Sequence, residues 1–439
     1  MILLYRLFIT LYQLGIRLAA AWNPKAKQWL SGRKNLFAEL SQTFPLAQPV
    51  IWVHSSSAGE FEQAKPVIDA LKKEHPDHQI VVTFFSPSGY AVGKKSAVAD
   101  QVFYLPVDTK KNADRFLSLV QPRLVIFVKY DYWYYHLKAV RERNIPLLLV
   151  SAIYRNNQAF FRWYGGFYRN MLHFFTQLFV QDETSYGLLK KFGINHCTIS
   201  GDTRFDRVAT IAGNFTQVPF IKEFVGNHPA LVAGSTWPED EKALAAAYGN
   251  LKNLKLVIAP HEINEDHIRS IENLFPKAIR YSAVKAALGA GPSQDSVLWE
   301  NEKDPQIQAV KNQLAEAPVL IIDNIGMLSR LYHYATVTYV GGGFNKSGIH
   351  NTLEAAVYGK PVIWGPNYQK FREAKELIAA GGGISYTSAA ECQQILHTLL
   401  NDKAAYTKAS MAALQYVQQN KGATEKIMNY IQENRLLTK

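Results

Sequence analysis

The first place in this sequence where chemistry could occur is a carboxylate that follows an apolar, strand-like run. The run Ile51–His54 leads into Ser55–Glu60, where small residues and Gly59 would let another molecule approach the backbone closely. Glu60 then stands at a helix start beyond the carboxyl end of a strand, where a general base would raise a rate by about 10²–10⁴. Because Ser57-x-x-Glu60 also has the spacing of a capping box, a structural cap and a catalytic base both stay open.

A second candidate region is the glycine-rich loop Gly341–Asn351, which follows a short apolar run and leads into a helix containing Glu354. Glycines before a helix N-terminus favour anion binding, because free N–H groups and the helix dipole both attract phosphate. Gly343 and Gly348 have the spacing of a Walker loop, but Ile349–His350 replaces its Lys-Ser/Thr pair. The loop therefore predicts either a phosphate site of another kind or a tight structural turn.

Two further stretches bear on anion and metal chemistry. Gly234, Ser235 and Thr236 end the first strand-like run of the second half, and their polar groups could hold an anion or simply cap the acidic helix that follows. His261 and His267 are six residues apart, so they lack the i,i+4 spacing of a metalloprotease pair. No D-x-D motif occurs in the chain. The sequence therefore predicts no metal site.

The basic excess of the chain is concentrated at its start. Lys+Arg minus Asp+Glu is 48 − 36 = +12, and no acidic residue precedes Glu39. Met1–Trp22 is otherwise mostly apolar, and its polar residues fall on one stripe of a helix: Arg6, Thr10, Gln13 and Arg17. These polar positions argue against a membrane span and against the unbroken apolar run of a secretory signal. We expect a helix that lies in the lipid headgroup region, the alternative being a helix packed on the protein's own core.

A second basic and aromatic stretch is Tyr154–Phe175, which contains Arg155, Arg162 and Arg169 among many rings. Such a pattern fits a lipid interface or an acceptor contact. It is also compatible with stacking on nucleic-acid bases, although no nucleic-acid-binding motif accompanies it. The remaining alternative is an amphipathic core helix with solvated arginines.

The elements that must position these residues are strands alternating with helices. The apolar runs are Val50–His54, Ile80–Phe84, Val102–Leu105, Leu124–Val128, Leu147–Val150 and Leu178–Val180 in the first half, and Leu231–Ala233, Leu256–Ala259, Val319–Ile322, Val337–Val340 and Val362–Trp364 in the second. Helical patterns such as Phe61–Glu74, Lys111–Val120 and Asp131–Arg143 separate them. Buried runs joined by crossover helices predict an α/β chain with two parallel sheets. We expect the boundary within Asp206–Asn227, and a ligand site in the cleft between two facing domains.

Taken in order, these motifs resemble the 3-deoxy-D-manno-octulosonic acid (Kdo) transferases that act on lipid A in Gram-negative bacteria. The matching blocks are Ser57–Glu60, Gly201–Asp206, Gly234–Thr236, Gly341–Gly343 with Gly348–Glu354, and Gly359–Pro361 with Gly365–Pro366. The resemblance runs over nearly the whole chain, and the blocks from Gly341 onward are its specific part. It implies two Rossmann-like domains of the glycosyltransferase-B type, CMP-Kdo as donor, a lipid A precursor as acceptor, and inverting transfer without a bound metal.

The resemblance also implies roles for single residues. The expected catalytic residues are Glu60, which would take the proton from the attacking glucosamine hydroxyl, and Asp131, which occupies the second carboxylate position of the family pattern E-x-E-x-W-P. Glu354 would bind the ribose hydroxyls, and the helix start near Gly348–Asn351 would stabilise the leaving phosphate. The expected donor-binding residues are Gly234, Ser235, Thr236, His261, Gly342, Gly343, Gly348, His350, Asn351 and Glu354, and the expected acceptor-binding residues are Ser57, Gly59, Arg155 and Arg162.

The chain departs from the family pattern at several positions. Lys129 replaces the first carboxylate of E-x-E-x-W-P, and Tyr134 replaces its proline. His261 stands where the family has the arginine of Pro-Arg-His, so another cation must neutralise the donor. The candidates for that cation are Arg204, Lys346 and Lys370. These departures are typical of a divergent branch of the family.

The sequence thus predicts a membrane-associated segment 1–38, an acceptor domain 39–215 and a donor domain 226–439. The enzyme would need no cofactor and no nucleic acid, and would lie on the cytoplasmic face of the inner membrane. Two alternatives stay open: a glycosyltransferase-B enzyme that uses a nucleoside diphosphate sugar, and a non-catalytic, membrane-bound anion-binding protein.

Overall fold

The computed structural model describes residues 1–45, 47–249, 251, 253–288 and 304–437. Within them the chain forms two compact units, each built on a seven-stranded parallel sheet. The first unit contains Met1–Arg207 and Asn420–Lys439, and the second contains Val208–Gln419. The α/β class and the two parallel sheets predicted from the sequence are confirmed.

The first unit has the strand order β3-β2-β1-β4-β5-β6-β7. In chain order its elements are α1 Ile2–Ala19, α2 Pro24–Lys34, α3 Leu36–Thr43, β1 Val50–Ser55, α4 Ala58–Glu74, β2 Gln79–Phe84, α5 Pro87–Lys94, β3 Gln101–Tyr104, α6 Lys110–Val120, β4 Pro122–Val128, α7 Tyr134–Glu142, β5 Leu147–Ala152, α8 Gly166–Leu172, β6 Gln177–Val180, α9 Glu183–Lys191 and β7 Cys197–Ile199. The next helix, α10 Thr203–Gly213, begins in the first unit and ends in the second. The central strands of the first unit are fully buried because helices cover both faces of the sheet.

The second unit has the strand order β10-β11-β9-β8-β12-β13-β14. Its elements are α11 Ile221–Val225, β8 Ala230–Thr236, α12 Pro238–Tyr248, β9 Lys255–Pro260, α13 Glu265–Leu274, β10 Ala278–Arg280, α14 Tyr281–Ala287, α15 Pro305–Glu316, β11 Val319–Ile321, α16 Leu328–Leu331, β12 Val337–Val340, α17 Leu353–Ala356, β13 Val362–Trp364, α18 Arg372–Ala380, β14 Gly383–Ser385, α19 Ala389–Asn401 and α20 Lys403–Asn420. A last helix, α21 Ala423–Glu433, follows α20.

The C-terminal helix α21 belongs to the first unit, whereas the sequence predicted one domain over 226–439. Its apolar side packs into the core of the first sheet through Ile427, Met428 and Ile431. The carboxylate of Asp206 accepts the N–H groups of Gly422 at 2.6 Å and of Thr424 at 2.7 Å. The sequence did not predict that the C-terminal helix packs on the first unit, because its amphipathic pattern does not indicate which of the two sheets it covers.

The N-terminal helix α1 packs one face on the first unit and exposes the other. Ile9 is buried, the Tyr5 hydroxyl donates to Asp108, and the Tyr12 ring lies 6.1 Å from that of Trp29. Its opposite face exposes large apolar side chains: Leu3, Leu4, Leu7, Phe8, Leu11, Leu14 and Leu18. By length and composition α1 could also cross a membrane. The structure thus bears out packing on the protein's own core for one face of α1, and attachment of the exposed face to lipid headgroups stays a prediction.

The stretch Tyr154–Phe175 is not the single amphipathic helix that was one of its interpretations. It forms a short 3-10 turn at Ala159–Phe161 and then α8, joined by a loop. Tyr154 and Phe160 are buried, whereas Trp163 in the loop is 93% exposed. The glycine pair after Tyr164 interrupts the helical pattern. A Cβ on Gly165 would lie 2.1 Å from the carbonyl oxygen of Ala159, so the chain can pass this point only with a glycine there.

Candidate functional site

The first candidate site lies where the strand order of the first sheet reverses. Strands β1 and β4 are neighbours, and the chain leaves β1 toward β2 on one side and later returns to β4 on the other. Open α/β sheets bind ligands at such a switch point, beyond the carboxyl ends of the strands. Glu60 follows β1 and Asp131 follows β4. The fold therefore places both candidate carboxylates at the switch point of one sheet.

Glu60 lies in the first turn of α4 and is half-buried. The Ser57 hydroxyl donates to Oε2 of Glu60, and the Glu60 N–H lies 3.5 Å from Ser57 Oγ. The carboxylate is therefore held by a side-chain hydroxyl, and Ser57 caps α4 without the full reciprocal capping box. Next to it, a Cβ on Gly59 would meet only Ser57 Oγ, at 3.8 Å. The fold itself does not require glycine there, so the space is open to another molecule.

Asp131 is buried, and both of its oxygens are occupied by one residue. Oδ2 accepts the Ser56 N–H at 3.0 Å, and Oδ1 accepts the Ser56 hydroxyl. Burial raises the pKa of Asp131 to about 7, the Ser56 hydrogen bonds oppose this shift, and the negative charge of Glu60 adds to it. Asp131 thus fixes the loop that carries Glu60, and it changes its protonation state near neutral pH.

A chain of buried polar groups approaches Asp131 from the sheet. Thr83 Oγ1 accepts the Trp52 Nε1–H at 2.8 Å and lies 2.8 Å from His54 Nδ1. His54 Nε2 is 3.4 Å from Asp131 Oδ2. Burial holds the pKa of His54 well below its ordinary value, so the ring is neutral. These polar groups could not be predicted to interact, because they lie at alternating positions of buried strands and their sequence pattern is that of any β-strand.

The exposed end of this site carries Tyr130, which follows β4. Burial raises the pKa of its phenol, and the nearby charges of Arg155, Glu60 and Arg204 act on it as well. Of the two predicted acceptor-site arginines, Arg155 is thus brought to the Glu60 region. Arg162 is exposed in the loop before α8, and no described contact joins it to Glu60.

The second candidate site lies at the corresponding point of the second sheet, between β8 and β12. Gly234, Ser235 and Thr236 end β8, and the glycine-rich loop follows β12. Ser235 adopts a positive φ of 53°, and the Thr236 hydroxyl donates to Glu241 at 2.8 Å. A Cβ on Gly234 would lie 2.2 Å from the Tyr332 hydroxyl. The predicted donor-binding blocks therefore meet at one switch point, although the Thr236 hydroxyl is already used inside the protein.

The glycine-rich loop is packed against neighbouring backbone. A Cβ on Gly341 would lie 2.2 Å from the Ser235 carbonyl oxygen, and one on Gly343 would lie 2.4 Å from the Gly365 nitrogen. Gly342 and Gly348 have φ values of 89° and 86°. These glycines are needed by the fold, which supports the structural-turn interpretation of the loop.

Asp240 ties this loop to the end of β8, and sequence reasoning missed it. Its carboxylate accepts the N–H of Gly342 at 2.7 Å, the N–H of Trp237 at 3.0 Å and the hydroxyl of Tyr339 at 2.7 Å. Burial raises the pKa of Asp240 to about 6, although these hydrogen bonds oppose the shift. The Gly342 N–H is therefore not free for an anion. The only hint in the sequence was an acidic residue at a helix start, which reads equally well as capping.

Three rings stack beside this loop. The His261 ring stacks on that of Trp237, with centroids 4.7 Å apart, and on that of His350, at 4.5 Å. Trp237 Nε1 donates to His350 Nε2 at 3.2 Å. Burial, helped by the charge of His261, lowers the pKa of His350 to about 4. His350 is thus a neutral acceptor, while His261 is exposed and can contact a ligand.

The helix after the glycine-rich loop, α17, has only four residues. Its dipole is therefore small, and the predicted phosphate site at its N-terminus loses much of its basis. Asn351 Oδ1 accepts the Leu353 N–H at 3.1 Å, and Asn351 Nδ2 donates to Glu354 at 3.0 Å. Gly348 N–H also donates internally, to the Asn345 carbonyl at 3.1 Å.

The three cations expected to replace the family arginine differ in their freedom. Arg204 is held by Asp202 through Nε at 2.9 Å and Nη2 at 2.7 Å, and it belongs to the first unit. Lys346 and Lys370 are both exposed in the second unit, on loops after β12 and β13, with Lys370 Nζ 3.3 Å from the Lys346 carbonyl. The two lysines are therefore better placed than Arg204 to meet a donor anion.

One cluster of possible metal ligands occurs in the described residues, away from both sites. Ligand atoms of His75, Asp77 and His78 lie within 4.8 Å of one another. They precede β2, at the amino end of the first sheet, whereas Glu60 and Asp131 lie at the carboxyl end. A metal held there would not reach the carboxylates.

Comparison with known proteins supports the resemblance seen in the sequence. Residues 30–207 match the family described as 3-deoxy-D-manno-octulosonic-acid transferase (kdotransferase). A protein of Haemophilus influenzae named 3-deoxy-D-manno-octulosonic acid transferase is 25% identical over 438 residues, covering 95% of this chain and 93% of its own. One of the same name from Aquifex aeolicus is 27% identical over 362 residues, covering 80% and 86%. The chain is thus similar to Kdo transferases over most of its length.

Solved structures extend the likeness at the level of fold. A putative UDP-N-acetylglucosamine 2-epimerase from Listeria monocytogenes superposes with a TM-score of 0.58 at 15% identity, covering 90% of this chain and 98% of its own. That identity shows the fold alone. The curated relatives, which are named as transferases, support an enzyme over a non-catalytic, anion-binding protein.

Proposed function

We propose that this enzyme transfers Kdo from CMP-Kdo to a lipid A precursor with inversion at the anomeric carbon. The observation that carries the proposal is the position of Glu60: a half-buried carboxylate at the switch point, held by the Ser57 hydroxyl, beside a glycine that the fold does not need. The Kdo transferases of Haemophilus influenzae and Aquifex aeolicus support the sugar that is transferred.

In the proposed reaction, Glu60 accepts the proton of an acceptor hydroxyl as that oxygen attacks the anomeric carbon of Kdo. The bond between this carbon and the phosphate oxygen of CMP breaks, and CMP leaves with the bonding electrons. Asp131 acts by position, because Ser56 occupies both of its oxygens and the loop they fix carries Glu60. Ser57 and Gly59 border the acceptor, and Arg155 is the basic group near it.

The second unit would hold the donor nucleotide. His261 is exposed on the ring stack and offers a flat surface for a base, while Lys346 and Lys370 supply positive charge for the phosphate. Glu354 stays the candidate partner of the ribose hydroxyls, and Asn351 holds it at 3.0 Å. Gly342, Gly343 and Gly348 determine the conformation of the glycine-rich loop. They would serve the donor indirectly, by keeping this loop in place.

A peripheral position on the inner membrane, on its cytoplasmic face, would bring the enzyme to a lipid acceptor. The exposed leucine face of α1 supports this attachment. The ring of Phe167 in α8 lies 5.8 Å from that of Tyr5 in α1, so the exposed Trp163 loop is joined to the same part of the unit. Arginine and tryptophan side by side are typical of the headgroup region.

The proposal is tested with purified enzyme, CMP-Kdo and a lipid A precursor, by following CMP release and weighing the lipid product. The Glu60→Gln variant should fold normally and lose at least 10²-fold in turnover, because its amide cannot accept the proton. Glu62→Gln, two residues along the same helix, is the matched control and should keep the wild-type rate.

Two outcomes would overturn parts of the proposal. Normal transfer by the Glu60→Gln variant would remove Glu60 as base. Turnover of a nucleoside diphosphate sugar in place of CMP-Kdo would move the enzyme to another donor class, the alternative left open by the sequence.

A further inference from the structure

A positively charged pocket lies between α1 and α2, apart from both candidate sites. Its volume is about 490 Å³, and its lining includes the basic residues Arg17, Lys27, Arg33 and Lys34. Among its described lining residues none is acidic. This basic segment, which contains no acidic residue before Glu39, takes no part in the proposed transfer reaction.

The inner wall of the pocket contains a cation, Arg33, that forms no ion pair with any described residue. The guanidinium of Arg33 donates to the carbonyl oxygens of Leu105 at 2.9 Å, Phe85 at 2.8 Å and Trp29 at 3.2 Å. Its carbon also lies 4.0 Å from the centre of the Trp29 ring. Carbonyl dipoles and a ring solvate the charge without neutralising it, and burial lowers the pKa of Arg33 to about 9.

The other three cations are available to a ligand. In the described part of the chain, the side-chain nitrogens of Arg17, Lys27 and Lys34 form no hydrogen bond or ion pair. Repulsion among four nearby positive charges is unfavourable unless an anion lies among them. The pocket thus has the charge and donor groups of an anion site whose ligand comes from outside the chain.

The position of the pocket on α1 indicates which anion this is. Residues three and four apart lie on one face of a helix. Ile9 and Ile16 belong to the face turned toward the protein, whereas Leu7, Leu11 and Leu18 belong to the exposed face. Gln13 and Arg17, which line the pocket, lie on the border between the two faces. If the leucine face enters the acyl layer by about 5–10 Å, the pocket lies at headgroup depth.

We infer that the pocket between α1 and α2 binds the phosphate of a membrane-lipid headgroup. A volume of about 490 Å³ exceeds what a free phosphate ion fills and falls within the range of sites for small organic ligands, about 300–1,000 Å³. The inference rests on the membrane attachment proposed above but not on the sugar transfer. The bound lipid would fix the rotation of α1 about its axis and so orient the unit that carries Glu60.

The experiment compares two triple variants of the full chain in vesicle flotation. Arg17→Gln/Lys27→Gln/Lys34→Gln removes the three free pocket cations, and the control Lys73→Gln/Lys95→Gln/Lys191→Gln removes three exposed lysines outside the lining. Both lower the net charge by three, so they lose the same general attraction to an anionic surface. Vesicles of phosphatidylcholine carry phosphate without net charge, and vesicles with phosphatidylglycerol add negative charge.

We expect the pocket variant to bind phosphatidylcholine vesicles at least fivefold more weakly than the wild type, and the control variant to bind them unchanged. On vesicles with phosphatidylglycerol both variants should weaken, the pocket variant more. Equal loss by the two variants on both vesicles would overturn the inference and leave only general charge attraction. Tight binding of inorganic phosphate to the soluble protein, with no pocket-specific loss on vesicles, would overturn it in favour of a free-anion site.

A third variant, Leu7→Gln/Leu11→Gln/Leu18→Gln, separates this inference from the proposals on which it rests. It should abolish attachment to both vesicles while CMP release from a detergent-dispersed acceptor persists. Vesicle binding unchanged by the leucine substitutions would contradict the membrane attachment itself and remove the headgroup as ligand. Loss of CMP release in the pocket variant under detergent would also contradict a role confined to lipid binding.

Discussion

The segment after β1 and the loop after β12 both lie at the switch point of their respective sheets, yet their glycines serve opposite purposes. A methyl group on Gly59, in the first turn of α4, would meet one hydroxyl oxygen at 3.8 Å, whereas a methyl group on Gly343 would lie 2.4 Å from a backbone nitrogen of the neighbouring loop. Glycine after β1 leaves space for a ligand, and glycine after β12 lets two stretches of backbone touch. The same residue type beside a switch point therefore carries different information.

This comparison also separates the two anchoring carboxylates. Asp131 accepts two hydrogen bonds, both from Ser56, and its pKa is raised to about 7. Asp240 accepts three from different residues, and its pKa is raised only to about 6. In both, burial is the main cause of the rise, the hydrogen bonds oppose it, and a neighbouring carboxylate adds to it: Glu60 for Asp131 and Glu241 for Asp240. The segment after β1 is thus held by a carboxylate that titrates near neutral pH, and the loop after β12 by one that has more hydrogen-bond donors.

The largest effect is expected from Gly343→Ala. The added methyl must push apart the loops after β12 and β13, so we expect a loss of about 3 kcal/mol or more in the free energy of unfolding. Urea denaturation measures it. Gly249→Ala is the control in the same unit, because a Cβ there meets only a carbonyl oxygen at 3.8 Å. Equal stability of the two variants would mean that the loop after β12 is as open as the segment after β1.

The next effect concerns Asp131 and pH. Its folded-state pKa, about 7, lies above the ordinary value of 3.8, so the native state binds the proton more tightly than the unfolded state. The stability contributed by this group is fully present below about pH 4 and is lost as the pH rises through 7. Between pH 5 and 8 wild-type stability should fall by on the order of 2 kcal/mol relative to Asp131→Asn. Parallel pH profiles of the two proteins would contradict this.

The central strands and one edge strand, β3, were predictable from the sequence, and the other three edge strands were not. Each predicted apolar run is present as a strand, because burial on both faces leaves a continuous hydrophobic signal. The three strands that were missed, β7, β10 and β14, have three residues each and lie at sheet edges. An edge strand pairs with one neighbour only and has a partly exposed face. It can therefore form without the continuous apolar run that a central strand requires.

The positions of the candidate site residues in the fold could be predicted from the sequence, but their hydrogen-bond partners could not. Glu60 and Asp131 were expected beyond strand ends, and the switch point brings both there. That Asp131 would bind Ser56, 75 residues earlier, depends on which strands become neighbours. The free N–H groups expected at Gly342 and Gly348 are used by Asp240 and by the Asn345 carbonyl. The loop sequence alone does not reveal this, since the competing acceptor at Asp240 comes from a distant helix.

A smaller effect is expected from Asp240→Asn. The amide keeps one acceptor oxygen but presents N–H groups to the donors on the other side, so part of the network that holds Gly342 is lost. We expect a cost of about 1 kcal/mol in stability. Calorimetric unfolding measures this cost. Donor affinity should weaken together with it if the loop after β12 acts as a scaffold, and Glu239→Gln, one residue earlier, should change neither. A normal donor affinity would separate the loop from the donor site.

The smallest change in stability, and the sharpest test of the comparison, is expected from Gly59→Ala. Alanine is favoured over glycine within a helix by about 1 kcal/mol, and the added methyl meets no close contact, so the variant should be as stable as the wild type or slightly more stable. If the open space belongs to the acceptor, KM for the lipid acceptor should nevertheless rise severalfold while that for CMP-Kdo stays constant. Gly187→Ala, in α9 with nothing within 4 Å, should share the gain in stability without the change in KM. A Gly59→Ala enzyme with unaltered KM would show that the space beside Glu60 is empty during turnover, and the segment after β1 would then lose the feature that sets it apart from the loop after β12.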